Sequence, residues 1–551
     1  MVKFLTSVFT GLMSVSVFAF NPQALWDTWP ESRFETTAAP CLLHAGLLNS
    51  LQMLQSRHPG HIRLEEAGKS HQGRSIQLLS MGSGEKKILL WSQMHGDEPS
   101  ATPALLDIAD FLATHADVPA IGSILENFTL LMIPMLNPDG AEIYTRRNAQ
   151  GIDINRDALM LATPEGRILK RVRDEYEPMM GFNLHDQDRR TAVGKSGKVA
   201  NSAVLAVSGD AANTLTPGRK RTKRASAAIV EALAPFIPGG MARYDEDWSP
   251  RAFGDNITAW GTPVVLIESG GLPPGDGFAQ LTRLNFVAIL TVLQGLADND
   301  LAGYDPQVYE DLLRNQDNAW SDIAVRDGYL LQPGMTQAYR SDLVFDQLRK
   351  DRDIAGCSSS IPSKASRASQ IFMVGDASFH ASGQSIDAGG SLLLVPFDVG
   401  ASGWSARKWL DSASLSQLTR LGVGTLHWSV GKKHYDAALT HAGALSKQGI
   451  TRIAVLKKSE KLPDVVLTGR PPETPSTSLH EVITALGVGP AINMETMQML
   501  WLQNTEGNPK PPRLRKWQAA SFLIVSHAAA GHIDFKHSRL ESVWLDGHTQ
   551  Q

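Results

Sequence analysis

Cysteine is nearly absent. The chain has two, Cys41 and Cys357, among 551 residues, too few for a disulfide framework or a four-thiolate metal site. No sign of charge dominates either. Lys and Arg number 52 against 56 Asp and Glu, a formal charge of −4, so nothing in the overall field points to a nucleic-acid partner. Glycine (47) and proline (30) stand near average usage, which excludes a collagen-like or low-complexity chain. No internal repeat is visible. Beyond the first twenty positions no apolar run approaches the ~20 residues that a spanning helix needs, so no membrane span is expected in the mature chain. At roughly 150 residues per domain the length amounts to about three to four domain-equivalents, and one compact core is not expected.

What is present begins at the N-terminus. Lys3 precedes an apolar stretch over positions 4–20 that is diluted by Thr6, Ser7, Thr10, Ser14 and Ser16. The sequence Val17-Phe18-Ala19 stands near its end, and cleavage of a signal peptide is expected after Ala19. A membrane anchor is the alternative, but the run is short for one and rich in hydroxyls. Export to the periplasm or the medium is therefore expected. There a Cys41–Cys357 disulfide is permitted but not implied.

From about 40 to 300, nearly continuous apolar runs (88–94, 128–136, 181–185, 203–208 and 264–268) alternate with helical patterns at 99–115, 164–177, 223–236 and 278–296. Such runs suit strands buried on both faces. The alternation predicts an α/β fold, a mixed, mostly parallel twisted sheet flanked by helices. After about 305 the runs shorten and turn signals multiply, so a β-richer C-terminal region is expected, with some helix such as 435–448. The expected division is a signal peptide at 1–19, a catalytic domain at 20–304 and an α+β accessory region at 305–551. The basic run Arg219 to Arg224 reads as a solvated helix start.

The residues that carry chemistry fall at the ends of the predicted strands. His95-Gly96-Asp97-Glu98 follows the first run; an imidazole and a carboxylate at that spacing can turn toward one cation, although the pair alone is a weak signal. Asn137-Pro138-Asp139-Gly140 closes the second run, and Arg146-Arg147-Asn148 leads to Gly151, Asp153, Asn155 and Arg156. His185 closes the third run, and Glu268 closes the last. In that order these motifs resemble the zinc carboxypeptidases, the carboxypeptidase A-like metallopeptidases, over roughly residues 45–300.

The resemblance implies that Zn²⁺ is held by His95, Glu98 and His185, with Glu268 as general base and acid. It implies that Asn155 and Arg156 bind the substrate's terminal carboxylate and that Arg147 stabilises the oxyanion. Arg146 is adjacent and could exchange places with Arg147. The chemistry agrees with these roles. Two neutral imidazoles and one carboxylate leave the metal net positive, a planar guanidinium matches a carboxylate bidentately, and a fixed positive charge suits developing negative charge.

Some features depart from the digestive members of that family. The interval from Glu98 to His185 is short, and the mobile tyrosine finds only a poorly placed candidate, Tyr244. Asp255 stands near the expected floor of the specificity pocket, where it could meet a basic side chain or simply satisfy its own loop. Asp186 and Asp188 could orient ligands or form a solvated turn. The expected activity is that of an exported zinc carboxypeptidase acting on a peptide or peptidoglycan fragment. The alternatives are a zinc amidase or deacylase on peptidoglycan fragments or N-acyl amino acids, and a non-catalytic binding protein on the same fold.

Overall fold

The computed structural model describes residues 21–34, 42–245, 247–272, 278–331, 339–346 and 370–387, and beyond these the strands Leu392–Leu394, Val423–Val430, Lys433–Ala438, Lys458–Ser459, Val466–Gly469, Trp501–Gln503 and Leu523–Val525. Residues 1–19, Cys41 and Cys357 lie outside the described residues. Two compact units are distinguished. The first comprises Met1–Gln187, Ser202–Ser269 and Gly277–Leu313; the second comprises Asp188–Asn201, Gly270–Asp276 and Arg314–Gln551.

The first unit is α/β. Helices α1 (Pro22–Ser32) and α2 (His44–Arg57) precede the hairpin β1 (Ile62–Lys69) and β2 (Ser75–Met81). Next come β3 (Lys86–Ser92), α3 (Ala101–Thr114), α4 (Pro119–Asn127), β4 (Phe128–Ile133), α5 (Pro138–Glu142), α6 (Pro164–Tyr176) and β5 (Met180–Asp186). A two-residue strand, β6 (Ala192–Val193), belongs to the second unit. The first unit resumes with β7 (Ser202–Ala206), α7 (Pro217–Leu233), β8 (Met241–Arg243), α8 (Phe253–Ala259), β9 (Val264–Ser269), α9 (Ala279–Asn299) and α10 (Pro306–Glu310).

Eight strands make one sheet in the order β1-β2-β4-β3-β5-β9-β7-β8. The central run from β4 through β3 and β5 to β9 is parallel, while β1 and β2 at one side and the β9–β7 pair are antiparallel. The sheet is thus mixed and mostly parallel, as the alternation of apolar runs and helices predicts. Strand β9 is buried at every position, and β5 at all but its last. Apolar side chains therefore leave both faces of the sheet. Leu89 and Trp91 on one face join Ile168 and Leu169 of α6 and Phe253 and Ile257 of α8 in a single core cluster. Helix α3 is buried along nearly its whole length, and it packs against α9, which also packs against α7.

Local signals explain most of the boundaries. Pro164 opens α6 behind a Thr163 cap that accepts from Gly166 N at 3.1 Å. Helix α7 starts at Pro217 behind Thr216, six residues before the expected 223, because Thr-Pro is itself a helix-start signal. The basic run lies inside that helix, where Arg219 is buried and Arg221 pairs with Asp300 at 2.8 Å. Helix α3 begins at Ala101, so Pro99 stands just outside it. Among the described residues no single helix is long and apolar enough to cross a membrane.

The second unit is β-rich. Strand β6 pairs with β10 (Asn315–Gln316). A sheet of eleven strands among the described residues includes β11 (Trp320–Leu331), β12 (Tyr339–Asp346), β13 (Gln370–Gly375) and β14 (Ala381–Asp387). Strand β11 pairs antiparallel with β12 and parallel with β14. Residues 435–438, expected to open a helix, belong to the strand Lys433–Ala438, which pairs with Val423–Val430. Tyr435 alternates with small and polar neighbours there, a pattern that serves a hairpin as well as a helix.

Candidate active site

The parallel strands β3, β5 and β9 all end on one side of the sheet, the usual location of ligand sites in α/β folds. The loop after β3 is shaped first by Gln93, which takes a left-handed backbone (φ 51°). That conformation is uncommon for a residue with a Cβ. Gln93 is held on both sides of its amide: Nε2 donates to Gly96 O at 3.0 Å, and Oε1 accepts from Thr102 Oγ1 at 2.9 Å. Gly96 is required by close approach, because a Cβ there would meet the Gly140 carbonyl carbon at 2.0 Å. Gly96 of H-G-D-E therefore lets this loop touch the backbone of N-P-D-G at the start of α5.

That contact brings the predicted ligands together. His95 Nδ1 lies 2.7 Å from Glu98 Oε1, and His185 Nδ1 lies 2.7 Å from Glu98 Oε2. The two Nδ1 atoms are 3.2 Å apart. All three side chains are buried, and among the described residues they form the one group of His, Cys, Asp or Glu whose ligand atoms fall within 4.8 Å of each other. Burial works against ionised Glu98, but the charges and hydrogen bonds of His95 and His185 outweigh it and hold the carboxyl well below the usual range. Burial holds His185 below its usual pKa. Burial also works against protonated His95, but the charge of Glu98 and hydrogen bonds with Asp153 and Glu98 outweigh it and hold His95 above its own. Two imidazole lone pairs facing each other at 3.2 Å beside one carboxylate repel unless a cation or proton lies between them. This N₂O donor set fits Zn²⁺.

Asp153 orients His95 from the other side of the ring, with Oδ1 3.1 Å from Nε2. It also accepts from Arg146 Nε at 3.0 Å and from Asn155 N at 2.9 Å. Burial would raise its pKa, but hydrogen bonds and charge from His95 and Arg146 hold it well below the usual carboxylate range. A ring nitrogen fixed by a carboxylate is a common support for a metal-ligating histidine.

Of the two adjacent arginines, the structure sets Arg146 against this group. Its Nη1 lies 3.1 Å from both His95 Nδ1 and Glu98 Oε1. Arg147 is exposed and donates to Gly151 O at 3.1 Å. Asn148 ties the loop. Its Oδ1 accepts from Gln150 N and Ile152 N at 3.0 and 3.1 Å, and its Nδ2 donates to buried Glu165 at 3.0 Å. Asp139 of N-P-D-G accepts from Ser70 Oγ, Gln72 N and Arg74 Nη1 at 2.7–2.9 Å, fastening the β1–β2 turn to the same region. Neither the Glu165 nor the Asp139 partnership was legible from sequence, since each joins segments more than fifteen residues apart.

Asn155 and Arg156 sit in a short 3₁₀ turn capped by Asp153. Asn155 Oδ1 accepts from Phe253 N at 2.8 Å, anchoring the turn to α8, while Arg156 is exposed and donates to Asn155 O. Glu268 is buried and stands opposite His185 in the β5–β9 register. Asp255, in the first turn of α8, accepts from Ser249 N at 2.8 Å. Burial pushes its carboxyl up to about 6 against that hydrogen bond and the charge of Arg156. Tyr244 packs, partly buried, against the core cluster. Asp186 meets Ser100 on the far side of the ligand group, and Asp188 pairs with Arg190 inside the second unit.

The zinc carboxypeptidase family model matches residues 47–178. A carboxypeptidase 2 of Trichophyton rubrum is 29% identical over 294 residues, covering 48% of this chain and 53% of its own. An inactive metallocarboxypeptidase of Talaromyces marneffei is 30% identical over 135 residues, 20% of this chain and 22% of its own. A solved metallo-carboxypeptidase of Pseudomonas aeruginosa, in complex with (2-guanidinoethylmercapto)succinic acid, is 21% identical with a TM-score of 0.38, covering 45% of this chain and 68% of its own. The chain spans about half the length of the curated carboxypeptidases it matches.

Proposed function

From a chain whose residues 47–178 match the zinc carboxypeptidase family model, we propose an exported metallocarboxypeptidase that hydrolyses the amide bond next to a free terminal carboxylate. The observation that carries this reading is the convergence of His95, Glu98 and His185 at the ends of β3 and β5, with Glu268 one strand away in register with His185.

His95, Glu98 and His185 would hold a zinc ion. Its contribution when bound is Lewis acidity toward a carbonyl and activation of water. The Glu268 carboxylate takes a proton from the attacking water and delivers it to the leaving amine nitrogen. Asn155 and Arg156 receive the substrate's terminal carboxylate, Arg156 through its planar fork. Its exposure leaves the guanidinium accessible to substrate. The oxyanion role belongs to Arg146, whose charge stands beside the ligand group, rather than to Arg147. Asp153 holds the His95 ring through Nε2, which would leave Nδ1 to be offered to a metal. Export rests on the apolar stretch and Ala19 cleavage site within residues 1–20.

The test uses the purified full chain with peptides and muropeptides presented both as free acids and as C-terminal amides. Release of the last residue from the free acids, loss of activity on chelation and its return with zinc are expected. Equal cleavage of the amidated substrates would overturn the reading, because the carboxylate that Arg156 holds would then be irrelevant.

A further inference from the structure

The three segments that deliver the site's carboxylates and second imidazole are joined behind it by one helix side chain. Ser100 lies two residues after Glu98, Asp186 directly follows His185, and Ser269 directly follows Glu268. Asn285, in the middle of α9, reaches two of these segments itself. Its Nδ2 donates to Ser269 Oγ at 2.8 Å and lies 3.4 Å from Ser100 Oγ, with Leu281 O of its own helix at 3.1 Å. Ser100 carries the connection to the third segment: its Oγ donates to Asp186 Oδ1, and its N–H donates to Asp186 Oδ2 at 3.2 Å. The Asp186 N–H in turn donates to Glu98 Oε2 at 3.3 Å. Thr282, one turn earlier on α9, donates to Ser100 O at 3.2 Å.

Asn285, Ser100 and Ser269 are each at most 3% exposed. An asparagine is a poor helix former, and a buried amide is unfavourable unless it is hydrogen-bonded. The other buried positions of α9 hold Leu, Ile, Val, Ala, Phe and Gly and two threonines, Thr282 and Thr291, so Asn285 is the one amide at a buried position of this helix. An amide at this position is thus costly for the helix alone, and its side-chain partners all lie beside site residues.

We propose that Asn285 is a positioning residue: through Ser269 and Ser100 it holds the ends of β5 and β9 and the turn after Glu98 in one arrangement, so that the zinc ligands and Glu268 are preformed. Rigid support of this kind lowers the cost of assembling the ligand set when metal binds. This inference rests on the zinc-site reading above, and its test separates the two.

The variants are Asn285→Leu, which keeps the volume and removes the amide, and Ser269→Ala, which removes the same contact from the other side with little steric change. Thr291→Val is the control, because Thr291 lies on the same buried helix and its hydroxyl donates to Val287 O of that helix at 2.8 Å, with no hydrogen bond to a site segment among the described residues. Zinc affinity is measured on the full chain by competition with a chelator of known affinity, in the absence of substrate. A fall of ~10–100-fold is expected for Asn285→Leu, the range found when supports of metal ligands are removed. A smaller fall is expected for Ser269→Ala. Turnover should fall in parallel while KM stays within about twofold, since the Asn155–Arg156 turn lies outside the network. Thr291→Val should change neither.

Zinc affinity and turnover in both site variants equal to those of Thr291→Val would overturn the proposal, and so would a wild-type chain that binds no zinc. A chain that binds zinc but releases no C-terminal residue would overturn the carboxypeptidase reading alone. The affinity measurements would still decide the role of Asn285.

Discussion

Glu268 stands opposite His185 in the register of two adjacent parallel strands, β5 and β9. Residues paired in this way project to the same face of a sheet, about 5 Å apart. A carboxylate that serves as base must be within reach of the reacting atoms without joining the metal's ligands, and a neighbouring strand provides that separation.

Glu268→Gln keeps the size of the side chain and removes the base. Zinc content should stay at one per chain, while turnover falls by ~10²–10⁴. Metal analysis and steady-state kinetics on the same preparation check both parts. Loss of zinc in this variant would place Glu268 among the ligands instead.

The two adjacent arginines should separate cleanly. Arg146→Ala removes a charge that lies 3.1 Å from Glu98 and His95, and kcat should fall by ~10²–10³, as for other lost oxyanion partners. Arg147→Ala removes an exposed side chain bound to a loop carbonyl, and its kcat should stay within about threefold of wild type. Parallel kinetics on the two variants decide which arginine acts.

Asp255 makes stability depend on pH. Its carboxyl is raised from 3.8 to about 6 by burial. Between pH 4 and 6 the folded chain therefore holds a proton that the unfolded chain has released. Stability from this group falls as pH rises through that window, and the penalty is complete above it. Asp255→Asn cannot ionise and still offers an oxygen to Ser249 N. The variant should match wild type near pH 4 and exceed it by about 1–3 kcal/mol at pH 7.5. Melting temperatures measured across that range check the sign; a difference that shrinks as pH rises would contradict it.

Helix α1 is held to the first unit partly by one buried carboxylate. Asp107 of α3 accepts from Trp29 Nε1 at 2.9 Å and from Phe34 N at 2.8 Å. The Arg283 guanidinium adds a hydrogen bond to Trp26 O and lies 3.9 Å from the centre of the Trp26 ring. Asp107→Ala leaves two buried donors without that acceptor and should cost about 2 kcal/mol or more. Amide hydrogen exchange should show the protection of α1 falling first, because the rest of the sheet keeps its own bonds.

Much of the first unit could be read along the chain because its central strands are buried on both faces. The apolar runs at 88–94, 181–185 and 264–268 overlie β3, β5 and β9. The β1–β2 hairpin escaped such a reading. Strand β1 is an edge strand with mixed exposure and a bulge between Glu66 and Gly68, so its polar residues break any period.

The order of His95, Glu98, Asn155, Arg156, His185 and Glu268 is a property of the sequence alone. Together with the apolar texture around them, these residues determine that an α/β sheet presents a zinc-type donor set. Which arginine faces that set is different, because neighbouring loop residues point in directions that only folding settles: Arg146 turns inward to Asp153, and Arg147 outward to Gly151. The supports of the site are likewise invisible in one dimension. Asn148 meets Glu165, Ser70 meets Asp139, and Asn285 meets Ser100 across 185 positions. Hydrogen bonds act over about 3 Å whatever the separation along the chain, so tertiary structure alone decides which polar residues meet.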